Sequence, residues 1–121
     1  HQYLESIREE SKTALLEQVR QMIWMLLPTG RCTVEQVAAH LGRDRRTLHR
    51  QLAREGETFS SLLDQARAEL AMRYLESSDH PLSEIAGVLG FSELSAFSRW
   101  FSKHFDCSPS TWRARQANQL I

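Results

Sequence analysis

Twice within 121 residues the chain spells nearly the same helix, turn and helix, and few folds accommodate such a repeat. Val37-Ala-Ala-His-Leu-Gly42 matches Ile85-Ala-Gly-Val-Leu-Gly90 at an offset of 48, and Leu48-His-Arg-Gln-Leu52 matches Phe97-Ser-Arg-Trp-Phe101 at an offset of 49. The second turn therefore carries one extra residue. In each first half the apolar residues fall at helical spacing: Val34, Val37, Ala38 and Leu41, then Leu82, Ile85, Ala86 and Leu89. Gly42 and Gly90 follow as residues able to take positive φ after a helix end. The second halves turn Leu48 and Leu52, and then Phe97, Trp100, Phe101 and Phe105, to one side. Two short helices joined by a glycine turn make a helix-turn-helix. Ala38 and Ala86 fall where the paired helices must approach closely, so a larger side chain should be rejected there.

The remaining chain reads as connecting helices. Residues 1–27 follow a helical period through Leu4, Ile7, Leu15, Val19, Met22, Ile23 and Leu26, until Pro28-Thr-Gly30 stops it. Met22, Trp24 and Met25 fit a packed seam better than a ligand cage. Thr33 caps the next helix, with Gln36 completing a capping box, and Asp44 caps the helix over Arg45–Arg54. Phe59, Leu62, Leu63, Ala66, Leu70, Tyr74 and Leu75 define a helix of roughly 17 residues, about 25 Å long. Successive major grooves on one face of B-DNA lie about 34 Å apart, so such a rod is of the right order to join two reading units. Ser108 caps a last helix that begins at Pro109 and runs to about residue 118. β-branched runs are almost absent, and Gly and Pro are few. The expected fold is all-α, with two helix-turn-helix lobes on a central linker helix and about seven helices. Residues 1–14 read as a helix extension or tether, 15–57 as the first lobe, 58–76 as the linker and 77–121 as the second lobe. A start at His1, without Met, reads as a fragment of something longer.

Fifteen basic and fifteen acidic residues cancel, which taken alone argues against a polyanionic partner. Their distribution reverses that impression. Residues 43–54 hold five arginines against Asp44, a local +4, and residues 99–115 hold four cations against Asp106, a local +3. Residues 55–98 carry eight carboxylates against Arg67 and Arg73, a local −6. Basic patches of this kind, separated by acidic sequence, suit a protein that touches phosphates only at the patches.

On the first recognition helix Arg46, His49 and Arg50 share a face at i, i+3 and i+4, opposite Leu48 and Leu52. Arginine pairs bidentately with guanine O6 and N7, so Arg46 and Arg50 are candidate base readers, and His49 beside them is either a third reader or a phosphate donor. Arg43, Arg45 and Arg54 flank that helix and suit phosphates, which fix register without reading sequence, and the helix starts near Thr33 and Leu82 offer backbone N–H groups to phosphates. On the second, Leu94, Ser95, Ser98 and Arg99 face outward as candidate readers, although the two serines and Arg99 could equally serve phosphate. Leu94 and Ala96 suit thymine methyl groups, although packing of Leu94 against the turn fits its position equally well. Lys103 is most simply a phosphate contact. Glu84 and Glu93 near helix starts suit the macrodipole.

These features together resemble the DNA-binding domain of the AraC/XylS family of bacterial transcription regulators. The resemblance is carried by Ile85-Ala-x-x-x-Gly-Phe-Ser, Ser95-x-Phe-Ser-Arg-x-Phe101 and Phe105-x-x-Ser-Pro-x-x-x-Arg113, and in the first copy by Arg46-Thr-Leu-His-Arg-x-Leu52, Gly56, Phe59, Arg67 and Ala71. It covers roughly residues 15–115. It implies two lobes on adjacent major-groove segments of double-stranded DNA, at an asymmetric promoter site, with activation through RNA polymerase. It also implies a separate sensing or dimerising domain absent from this chain. Asp106 stands where the family usually has Gly, and Trp112 where it usually has Tyr.

No nucleophile–base pair, phosphate loop or metal spacing occurs, so neither catalysis nor a cofactor or metal is expected. Cys32 and Cys107 lie in no C-x-x-C, which suits a reducing cytoplasm at the nucleoid. No apolar run approaches the roughly 20 residues of a membrane span. The alternative is a helical protein-interaction module that kept the fold and lost DNA binding.

Overall fold

A computed structural model describes residues 2–77 and 79–119, with side chains described for 14–77 and 79–117. Regular structure among these residues is entirely helical. In chain order the helices are α1 (Gln2–Leu26), α2 (Val34–His40), α3 (Arg45–Arg54), α4 (Phe59–Ser77), α5 (Leu82–Val88), α6 (Leu94–Phe105) and α7 (Pro109–Gln119). A 3-10 turn over Leu27–Thr29 follows α1, where Pro28 prevents the α-helix from continuing. The expected tether lies among residues whose side chains fall outside those described; its backbone from Gln2 is continuous with α1.

Two compact units divide within α4. One comprises the residues up to Leu26 with Arg31–Ala66, the other Leu27–Gly30 with the residues from Arg67 onward. In the first unit Leu15, Val19 and Ile23 of α1 meet Val37 and Ala38 of α2, Leu48 and Leu52 of α3, and Leu62 and Ala66 of α4. Each buried Leu, Ile or Val contributes about 1.5–3 kcal/mol. That burial sustains α2, whose seven residues are too few to stand alone in water. Met22 and Trp24 pack on the rim of this core as expected. Met25 does not: it is 67% exposed. Three positions spanning a full turn cannot all face one side, and the i, i+3, i+4 stripe through Val19, Met22, Ile23 and Leu26 leaves Met25 on the solvent face.

The second unit buries Leu27, Leu70, Ala71, Leu75, Ile85, Ala86, Leu89, Phe97, Phe101 and Pro109. Aromatic rings run along α6, with centroids 5.8 Å apart for Phe97 and Phe101 and 4.5 Å for Phe101 and Phe105. Phe91, in the turn before α6, lies 5.8 Å from Phe97 and 5.6 Å from Trp100.

The sequence repeat is a backbone repeat as well. After α2, the Gly42 N–H donates to the Ala39 carbonyl (3.1 Å) and the Arg43 N–H to that of Ala38 (2.9 Å). After α5, Gly90 donates to Gly87 (3.0 Å) and Phe91 to Ala86 (2.9 Å). Both are Schellman turns, closed by a glycine at φ 68° and φ 86° respectively. Ala38 and Ala86 are 1% and 2% exposed. Starting from α2 and α5 at an offset of 48, α3 and α6 begin at an offset of 49, which places the extra residue in the second turn. Asp106 ends α6 at φ 59°, a conformation Asp tolerates better than most residues.

Candidate nucleic-acid interface

Helix α3 is fixed at its start by Asp44, whose Oδ1 accepts the Thr47 N–H at 2.7 Å. That bond, then the Thr47 hydroxyl and the charges of Arg50 and Arg46, hold the Asp44 carboxyl below its ordinary value. Inside the unit, Leu48 and Leu52 are fully buried. On the opposite face Arg46, His49 and Arg50 are exposed, and no hydrogen bond or salt bridge among the described residues engages them. A rigid, capped helix thus presents two guanidinium groups and an imidazole to solvent with their donors available.

The flanking cations divide. Arg54 is exposed. Arg45 is exposed too, but its guanidinium is 2.9 Å from Glu35 Oε1 of α2. Arg43 is half-buried, and its Nη1 donates to the Leu41 carbonyl at 3.2 Å. Thr33 Oγ1 accepts the Gln36 N–H at 3.2 Å, as its place before α2 predicts, and its hydroxyl proton remains free to donate; the Thr33 N–H donates to the Arg31 carbonyl at 3.0 Å, so Gln36 does not close the expected capping box.

Helix α6 differs in kind. Its N-cap position, Glu93, makes no side-chain capping bond, and instead accepts a hydrogen bond from Ser95 Oγ at 3.3 Å. Leu94 is 43% exposed, which favours its outward placement over packing against the turn. Ser95, Arg99 and Lys103 are exposed; Ser98 and Ala96 are half-buried. Arg113, counted in the second basic patch, donates from Nη1 to the His80 carbonyl at 2.9 Å, so it braces its own unit. The outward charge of that patch comes from Arg99, Lys103 and Arg115.

Sequence reasoning missed the Glu35–Arg45 pair, because ten residues and a turn separate the partners. Arg67 stood out in the sequence only as part of the family pattern, with no sign of its contacts: its Nε donates to the Leu89 carbonyl at 2.9 Å while its Cζ lies 4.5 Å from the Phe91 ring centroid. No helix among the described residues is long and apolar enough to cross a membrane.

Two helix-turn-helix units, each burying one face of its second helix and exposing a polar other face, define a tandem helix-turn-helix domain. A family model described as a helix-turn-helix domain matches residues 37–115. The HTH-type transcriptional regulator VirS of Mycobacterium tuberculosis is 41% identical over 112 residues, 93% of this chain and 33% of VirS. The transcriptional activator NphR of a Rhodococcus species is 35% identical over 106 residues, 88% of this chain and 32% of NphR. The chain therefore spans about a third of the length of the curated relatives it matches. Among solved structures, the DNA-binding domain of the global transcriptional factor AdpA, in complex with a target DNA, has a TM-score of 0.71 at 30% identity, covering 87% of this chain and 94% of that one. The chain belongs to the AraC/XylS family of helix-turn-helix transcription regulators.

Proposed function

We propose that this domain binds double-stranded DNA sequence-specifically, its two lobes, residues 15–57 and 77–121 on the 58–76 linker, reading consecutive major-groove segments of an asymmetric site. The observation that carries this reading is the exposed, unengaged set Arg46, His49 and Arg50 on a helix whose opposite face is fully buried. Arg46 and Arg50 read bases, each good bidentate pair discriminating by about 1–3 kcal/mol, with His49 beside them. Arg54, Lys103, the Thr33 hydroxyl and Arg45, once it leaves Glu35, take phosphates. Leu94, Ser95, Ser98 and Arg99 form the second reading face, which offers fewer charged donors and so tolerates more sequences than α3 does. The AdpA domain, similar over most of this chain, is described in complex with a target DNA, and NphR as a transcriptional activator. The first supports DNA binding by a transcription regulator and the second an activating role; on this reading activation proceeds through RNA polymerase in the cytoplasm. An effector or dimerisation partner would act through a further domain, and catalysis has no part in the scheme.

The exposed Leu94 and the zero net charge favour a second reading, a protein-interaction module. Substituting Arg46 and Arg50 by Ala separates the two. A DNA reader loses its preference for a selected duplex while remaining folded by circular dichroism; a protein-interaction module has no selected duplex to lose.

A further inference from the structure

We propose that Arg43 in the first unit and Arg67 in the second are positioning residues, each aiming a recognition helix by clamping the C-cap carbonyl of the helix before it. This rests on the DNA-reading function above. A Schellman turn satisfies only part of a helix's C-terminal carbonyls. After α2 and α5 it occupies those of Ala38 and Ala39, and of Ala86 and Gly87. The next acceptors at the negative helix end include the carbonyls of Leu41 and Leu89, which occupy equivalent positions in the repeat. An arginine reaches each of them: Arg43 Nη1 donates to Leu41 at 3.2 Å, and Arg67 Nε to Leu89 at 2.9 Å.

The two arginines come from different places. Arg43 lies within its own turn. The equivalent position in the second turn is Phe91, which has no side-chain donor, so α4 supplies Arg67 instead. The Arg67 guanidinium also lies over the Phe91 ring, 4.5 Å from its centroid. A Cβ added at Gly90 would be 3.3 Å from Arg67 Nη2. The guanidinium is thus set against the carbonyl before the glycine, the glycine itself and the ring after it, the three residues that determine where α6 enters. Charge-assisted bonds to a carbonyl are stronger than neutral ones. Arg43, which its sequence context assigns to a phosphate, acts on DNA through α3.

Salt dependence separates the two roles, because a phosphate contact contributes about 0.9 to the slope of log K against log salt and a positioning residue contributes nothing. The 121-residue chain and its Arg43→Gln, Arg43→Lys, Arg67→Gln and Arg67→Lys variants are titrated by fluorescence anisotropy. The probes are the duplex that the unsubstituted chain enriches from a random-sequence library and a mixed-sequence duplex of the same length, across a salt series. Each variant should lose about tenfold on the enriched duplex, the worth of one charge-assisted hydrogen bond. Affinity for the mixed duplex and the salt slope should not change. Lys should not rescue, since it restores charge but not the guanidinium geometry. Rescue by Lys, a slope reduced by about one, or unchanged affinity overturns the proposal. So does an equal loss on both duplexes that follows the thermal melt, which would make the clamp a stability contact only. Should the Arg67 variants unfold, the half-buried Arg43 pair decides by the same criteria. Failure to enrich any duplex overturns the DNA-reading function itself and is recognised before any variant is made.

Discussion

Position 90 presents a side chain with two obstacles and position 42 with one. Both glycines take positive φ, which costs an L-residue about 1–2 kcal/mol. At Gly42 an added Cβ meets nothing within 4 Å, whereas at Gly90 it comes within 3.2 Å of Leu27 Cδ1 and 3.3 Å of Arg67 Nη2. Gly42→Ala should therefore cost about 1–2 kcal/mol, and Gly90→Ala clearly more. Urea unfolding of the two variants measures the difference; equal costs would contradict the crowding at the second turn. Glu35 holds Arg45 at 2.9 Å with both side chains well exposed. An exposed pair of this kind contributes about 0–1 kcal/mol to stability. Glu35→Gln should then leave the melt nearly unchanged while freeing Arg45. Affinity for every duplex rises, and the salt slope steepens by up to about 0.9. Unaltered binding would mean that Arg45 stays off the phosphates even when released.

At the scale of elements, α3 and α6 occupy equivalent places but begin differently. Asp44 caps α3 through the Thr47 N–H, whereas Glu93 leaves α6 without a side-chain cap. Glu93→Ser should stabilise the second unit by about 1 kcal/mol, seen as a higher melting temperature. No rise would mean that the extra turn residue holds position 93 out of capping geometry. The Asp44 cap also depends on pH. Its folded carboxyl titrates below the ordinary 3.8, so its contribution is complete above that value and is lost as pH falls through the lower folded one. Asp44→Asn, still a good cap but without charge, should remove that component from a urea series between neutral and acid pH. Identical pH profiles would contradict it. These caps were legible in the sequence because capping is local: Thr33, Asp44 and Ser108 each bond three residues on. The Thr58–Ser61 pair that starts α4, in which each side chain accepts the other's N–H at 3.0 Å, obeys the same rule and escaped notice because Ser replaces the usual Glu or Gln. The repeat, its glycines and the longer second turn were legible for the same reason. What sequence hid was mostly tertiary. The reach of Arg67 to Leu89, across 22 residues, depends on which surfaces meet in three dimensions, whereas the return of Arg43 onto Leu41 is local but turns on a side-chain rotamer that spacing does not set.

For the molecule as a whole, zero net charge conceals a partition in which residues 43–54 and 99–115 are basic and the sequence between them is acidic. That partition, with an arginine-rich α3 and a less charged α6, is the basis of the proposal that one chain holds two unequal readers. The most direct test is selection of duplexes by the 121-residue chain from a random library, repeated with Arg46→Ala/Arg50→Ala. The enriched site should be asymmetric, with a stricter and a looser segment, and the double variant should lose the stricter one while staying folded. A palindromic site, or an enriched site unaltered by the double substitution, would contradict the proposal.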